Sequence, residues 1–298
     1  MGALSEEGPT LLAVPNVSEG RDDAAIDAIA AAFAGGGGSG VRLLDVHRDP
    51  DHNRTVVTLA GTPGTLAPAL AAGAREALER IDLRANDGVH PHVGALDVAP
   101  VVFLRDEDRG AACAEALVAA DLIGRLGVPV LMYGALADHR TRAQIRRGGP
   151  VKLARRLREG DLRTDFGPTA PHPTAGTTLV AARPPLVAFN VTLRPPATVA
   201  RAREIAAAIR EGGTHGLPGL RAIGLPLERA DEVQISMNVE RPDLTPLRVV
   251  IAAIAAHAPL QAAELVALAP EAAFEGFPPD LPIPGFDPER HLIERALG

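Results

Sequence analysis

Apolar and polar positions along this chain fall into a repeating order of short strands and helices. TLLAVP (10–15) is an apolar run ending at a proline, which predicts a buried strand. Asp22 or Asp23 then caps a predicted helix whose Ile26, Ile29, Ala30 and Phe33 recur at helical spacing, and GGGGSG (35–40) ends it. VRLLDV (41–46) and TVVTLAG (55–61) predict two strands joined by the polar loop HRDPDHNR. Thr65 caps a helix predicted to run through Ile81, and ALDVAPVVFL (95–104) predicts another buried strand. Asp106 opens a further helix, VPVLMYG (128–134) returns as a strand, and 140–158 reads as an amphipathic basic helix.

Between 159 and 177 the pattern breaks. DFGPTAPHPTAGTT is rich in Pro, Gly and Thr with no apolar period, as in an interdomain linker or a binding loop. Periodicity resumes with PLVAFNVTL (185–193), a helix at 197–212, strands at 219–227 and 231–239, a helix at 246–257 and a strand at 260–268. Residues 11–104 and 185–268 therefore share one order: strand, helix, strand, strand, helix, strand. That order predicts an α/β (α+β) chain of two split β-α-β-type subdomains, 1–177 and 178–298. Each such sheet has one face covered by helices, so the two bare faces are expected to meet, with helices outside and a ligand tunnel between. The openings VPNVSEG and AFNVTLR also share an Asn-Val pair, a match short enough to arise by chance.

Composition narrows the class. Apolar residues make up 46% and charged residues 22% of the 298, which excludes chain-wide disorder. With no Trp and one Tyr, aromatic stacking on a ligand has few candidates. The net charge is −7 and no basic stripe stands out, so a nucleic-acid partner is not expected. Cys113 is the only cysteine, which excludes an intrachain disulfide and a cysteine-based zinc site. The N-terminus lacks the basic and apolar regions of a signal peptide, and no apolar run is long enough to span a membrane. A cytoplasmic location with no membrane partner is the expectation.

Three polar groupings interrupt the aliphatic background. In VPNVSEGRD (14–22), Asn16, Ser18 and Glu19 lie at a strand-to-helix junction, suited to anion binding or to plain capping. In LLDVHRDPDHNRT (43–55), Asp45, His47, Asp49, Asp51 and His52 precede Arg54; such a set suits a metal, a solvated turn or a substrate site. In NDGVHPHVGALDV (86–98), His90 and His92 flank Pro91, which restricts His90 to extended geometry. A histidine held there can exchange a proton near neutral pH, although a structural role is equally compatible with the spacing.

Together with DFGP (165–168) and VQISMN (233–238), these segments resemble the formiminotransferase family, folate-dependent glutamate formimidoyltransferases of histidine breakdown. The resemblance runs from VPNVSEG to ELVALAP through NRTVVTLAG, GALDV and AFNV, nearly the whole chain. It implies transfer of a formimino group from N-formimino-L-glutamate to tetrahydrofolate as co-substrate, in a homodimer, with no metal. No cyclodeaminase segment follows, so a stand-alone transferase is expected. The family's catalytic histidine falls at His90, with His47 beside it. Its folate loop falls on Gly167, Pro168, Thr169 and Gly176. Asn16, Arg54, His92 and Arg183 are the expected substrate or anion partners, since both reactants carry carboxylates. Where the family places an acidic residue this chain has His47, and where it reads HxGEHPR this chain has Asn86, Val89 and His92. Two alternatives stay open: a non-catalytic folate-binding paralogue, and a metal-dependent hydrolase using His47, His52, His90 and His92.

Overall fold

The first strand is split by a proline. In the computed structural model, which describes residues 8–88, 91–138, 140–227 and 230–298, Leu11–Ala13 (β1) and Asn16–Val17 (β2) flank Val14 and Pro15. There follow Asp23–Gly36 (α1), Val41–Asp49 (β3), Arg54–Gly61 (β4), Leu66–Arg80 (α2) and Leu96–Phe103 (β5). Next come Arg109–Gly124 (α3), Val130–Met132 (β6), Arg142–Arg146 (α4), Gly149–Glu159 (α5) and Thr178–Arg183 (β7). β1 and β2 lie antiparallel between β4 and β5. β3 closes one edge on β4, while β7 and then β6 extend the other edge in parallel. The strand-helix-strand-strand-helix-strand core of this unit is thus the predicted split β-α-β arrangement, with β6 and β7 added.

Alternation along the strands assigns the two faces. Val57 and Leu59 of β4, with Ala99 and Val101 of β5, join Ile29, Phe33, Leu66 and Leu70 in one core, so α1, α2 and α3 cover that face. On the other face Leu131, Val98 and Leu179 pack with Ile145, Leu153 and Leu157 of α4 and α5. Burial of each of these aliphatic side chains contributes about 2 kcal/mol.

Local chemistry explains where expectation and structure part. Asp22 caps α1 as predicted, accepting the Ala25 N–H at 3.0 Å. Thr65 does not cap α2. Its hydroxyl donates to Thr62, and the buried Glu115 of α3 takes the Gly64 and Ala67 N–H groups instead, at 2.7 and 2.6 Å. The single helix expected over 140–158 is two, because the backbone turns left-handed at Gly148 (φ +85°), which caps the second helix, and at Gly149 (φ +74°), which opens it.

The boundary expected at 177/178 lies at Pro184/Pro185. β7 is the reason: it pairs with β5 and β6 and so belongs to the first sheet. Nor is 159–177 an interdomain linker, since Phe166 bridges Val130 and Gly176 bridges Gly94 within the first unit.

The second unit contains Val187–Leu193 (β8), Val199–Ile209 (α6), Leu220–Leu227 (β9), Glu232–Val239 (β10), Leu247–Ala255 (α7) and Leu260–Val266 (β11). Its sheet order is β11-β8-β10-β9. This repeats the order β5-(β1/β2)-β4-β3 of the first unit, as the duplicated pattern predicts. Phe189, Val191, Ile235 and Met237 face α6 and α7. The opposite face carries Asn190, paired in register with Ser236 on one side and Glu264 on the other. The two Asn-Val pairs occupy equivalent places. Val17 and Val191 point into their helix-covered cores, and Asn16 and Asn190 lie on the other face of the first strand of each unit.

Candidate active site

The three polar groupings of the first unit meet at one end of its sheet. Ser18 follows β2, donates its backbone N–H to Ala95 at 2.9 Å, and donates its hydroxyl to the Gly94 carbonyl at 2.7 Å. The Asn86 amide donates to the Ser18 carbonyl at 2.8 Å, tying the start of the histidine-bearing segment to the same residue. Asn53, held at φ +47°, accepts the Gly20 N–H at 2.9 Å, and the Thr55 hydroxyl donates to the Glu19 carbonyl at 2.6 Å. The hairpin 49–55 thereby docks on residues 19 and 20.

From the other side comes the loop that follows DFGP. Ala95 donates to Ala175, and Thr177 donates to Val93, each at 2.9 Å. Residues 93–95 are therefore held between Ser18 and 175–177. The loop closes on itself through His172 and Gly176, which exchange backbone hydrogen bonds of 2.8 and 2.9 Å. His172 Nδ1 also accepts the Ala175 N–H at 3.1 Å. Gly167, Pro168 and Thr169 are left exposed at its tip.

A polar row lies on the sheet face turned away from α1–α3. Asp45, His47 and Asp49 alternate along β3 opposite Thr58, Val56 and Arg54 of β4. Asn16 also faces Val56, so His47 and Asn16 flank that valine across three strands. One ligand-capable atom of His47 and one of Asp49 lie within 4.8 Å. Asp49 is buried and accepts the His52 backbone N–H at 2.9 Å, with His52 Nδ1 in contact with its other oxygen. Arg54 Nη2 stands 3.6 Å from that oxygen. Burial alone would push the Asp49 carboxyl up. The hydrogen bonds and charge of His52, joined by the Arg54 charge, outweigh burial and hold it below the usual carboxylate value.

Of the residues expected at the site, His90 lies outside the described residues. His47, Asn16 and Arg54 fall on adjacent strands, and His92 directly precedes the clamped 93–95 segment. Gly167, Pro168, Thr169 and Gly176 occupy the loop bonded to that segment. Arg183 ends β7, its Nη1 donating to the Pro184 carbonyl at 3.0 Å. Among the described residues, His52 and His92 join no group of three side chains able to hold a metal.

Sequence reasoning missed two acidic anchors. Asp97, buried within β5, accepts the Val93 N–H at 2.8 Å and pairs with Arg146 of α4. Asp165 of DFGP accepts the Met132 N–H at 2.7 Å and pairs with Arg140. The usable signal for Asp97 was an acid inside the apolar run ALDVAPVV, which has to find a partner when buried.

A duplicated split β-α-β chain, with its polar side chains gathered on the face of the first sheet turned away from α1–α3, defines a two-unit α/β protein with an enzyme-like site. The match to known proteins is specific. Residues 10–183 match the N-terminal subdomain of the formiminotransferase domain, and residues 188–274 match the formiminotransferase domain. A glutamate formimidoyltransferase of Streptococcus pyogenes serotype M1 is 38% identical over 76% of this chain and 76% of its own length. One from Thermoplasma acidophilum is 34% identical over 95% of this chain and 89% of its own. The formimidoyltransferase-cyclodeaminase of Rattus norvegicus is 37% identical over 80% of this chain but only 45% of its own length, so the chain spans about half of that bifunctional relative. The chain belongs to the formiminotransferase family.

Proposed function

We propose that this protein is a one-carbon transferase that moves the formimino group of N-formimino-L-glutamate to N5 of tetrahydrofolate, as a step of histidine breakdown. The observation that carries the reading is the junction Ser18–Gly94–Gly176: it joins the histidine-bearing segment to the proposed folate loop, as a reaction between two bound substrates requires. The two relatives named glutamate formimidoyltransferase, matched over most of their length, support it.

In this reading N5 attacks the formimino carbon and a tetrahedral intermediate forms. The bond from that carbon to the glutamate nitrogen then breaks, and the nitrogen leaves as an amine. The proton shed by N5 must reach the departing nitrogen, and His90 carries it as base and then acid. His47 assists from β3. Gly167, Pro168, Thr169 and Gly176 receive the folate. Asn16, His92 and Arg183 receive substrate carboxylates or polar groups, and Arg54 contributes positive charge while balancing Asp49. The reaction needs no metal, and turnover is expected to survive a chelator. The same proposal includes a cytoplasmic homodimer; among the described residues no helix is long and apolar enough to cross a membrane.

The decisive experiment is a turnover assay with tetrahydrofolate and N-formimino-L-glutamate on the wild type and on His90→Ala. The variant is expected to lose transfer while binding tetrahydrofolate within several-fold of the wild type. Wild-type protein with no transfer defeats the substrate assignment, and undiminished turnover in the variant defeats the role of His90.

A further inference from the structure

We propose that Asp97 and Arg146 form a buried clamp that positions residues 91–95 for reaction, with Asp97 as a positioning residue; the proposal rests on the transferase reading above. Asp97 is 2% exposed inside a strand whose other residues are apolar or Pro. Burying a carboxylate there is costly unless both oxygens are engaged. Both are. Oδ1 accepts the Val93 N–H at 2.8 Å, and Oδ2 contacts Nη2 of Arg146.

The bond to Val93 is placed where the neighbouring strands leave a gap. Ser18 and residues 175–177 take the carbonyls of Val93, Gly94 and Ala95 and the N–H of Ala95. The Val93 N–H goes to Asp97. Val93 directly follows Pro91 and His92, so this bond anchors the C-terminal side of that pair from within β5. Fixing the backbone three residues along the chain from His90 matters because misplacement of a reacting group by about 1 Å can cost a hundredfold in rate.

Arg146 extends the restraint outward. It belongs to α4, whose N-terminus is closed by a reciprocal Thr141–Gln144 capping box. The carbonyls of Gln144 and Ile145 accept from Nη1 of Arg156 in α5, at 3.1 and 2.9 Å. A continuous chain of polar contacts thus runs from α5 through α4 and Asp97 to Val93. An arginine suits this link because its guanidinium stays charged and so balances the buried carboxylate through Nη2.

The test is the double variant Asp97→Ala/Arg146→Ala, which removes both charges and leaves neither unpaired. The expected result is a folded protein whose kcat falls at least about tenfold while KM for both substrates stays within about threefold. Amide exchange in 91–96 should rise at least about tenfold. The variant Asp97→Asn/Arg146→Gln restores a neutral acceptor for Val93 and should recover most of both losses. Unchanged exchange, a kcat within about twofold of wild type in a folded alanine pair, or no recovery with the neutral pair overturns the proposal. If the alanine pair does not fold, Arg146→Ala replaces it. Faster exchange with a reduced kcat then supports the clamp, and no change in either overturns it. Wild-type protein lacking turnover counts against the transferase reading alone, since exchange still reports on the clamp.

Discussion

Gly94 and Gly176 face each other across an antiparallel backbone bridge, and neither has room for a side chain. A Cβ on Gly176 would stand 2.2 Å from the Val93 carbonyl, and its φ of +68° is unfavourable for any other residue. Gly176→Ala is therefore expected to lower stability by about 2 kcal/mol in urea denaturation. It should also raise KM for tetrahydrofolate more than it lowers kcat, because the affected loop is the proposed folate loop. A variant as stable as wild type would remove the close approach as a structural requirement.

Asp49 makes stability depend on acid. Its carboxyl is held below the usual value in the folded protein, so its contribution is fully present above the unfolded carboxylate pKa of about 3.9. That contribution is lost as the pH falls through the lower folded value. Asp49→Asn should destabilise the protein at pH 7, and its deficit relative to wild type should shrink as the medium is acidified below about pH 4. Urea midpoints measured across that range supply the check; a deficit constant with pH would mean that the carboxylate charge is not what His52 and Arg54 hold.

Glu115 caps a helix that its own sequence does not cap. Glu115→Ala leaves two N–H groups at the start of α2 without their acceptor and should cost about 2 kcal/mol, measured by chemical denaturation. Thr65→Ala should cost less, since the Thr65 hydroxyl makes no cap bond. The reverse order would contradict the cap assigned to Glu115.

His47 faces Val56 from the edge strand, in the same row as Asn16. If it assists the proton transfer, His47→Ala should lower kcat by about a hundredfold and leave the urea midpoint close to wild type. A loss of stability with normal kcat in the folded fraction would make it a structural histidine.

Ile26, Ile29 and Phe33 mark α1 because helical burial recurs within a few residues, and Asp22 caps it because capping is local. The duplicated order of elements predicted two split β-α-β-type units, and strand pairing then gave both the same order. Thr65 misled because the acceptor that replaces it comes from Glu115, fifty residues on, which local pattern cannot reveal. Gly148 and Gly149 interrupt the basic segment because both take a left-handed backbone that helical spacing of the flanking residues does not reveal.

The candidate site divides in the same way. The motifs containing Asn16, His47, His92 and Gly176 stood out as polar or glycine-bearing breaks in an aliphatic chain, and their family resemblance needed only their order. The sequence by itself determined the alternation of elements, the duplication and the identity of the polar segments, because each follows from side-chain type and short-range spacing. Only the tertiary structure decided that Ser18, Gly94 and Gly176 meet, that Asp97 holds Val93 and reaches Arg146, and that β7 belongs to the first unit. Those relations depend on strand register and on partners brought together from distant parts of the chain, where a shift of one residue would turn each side chain to the opposite face.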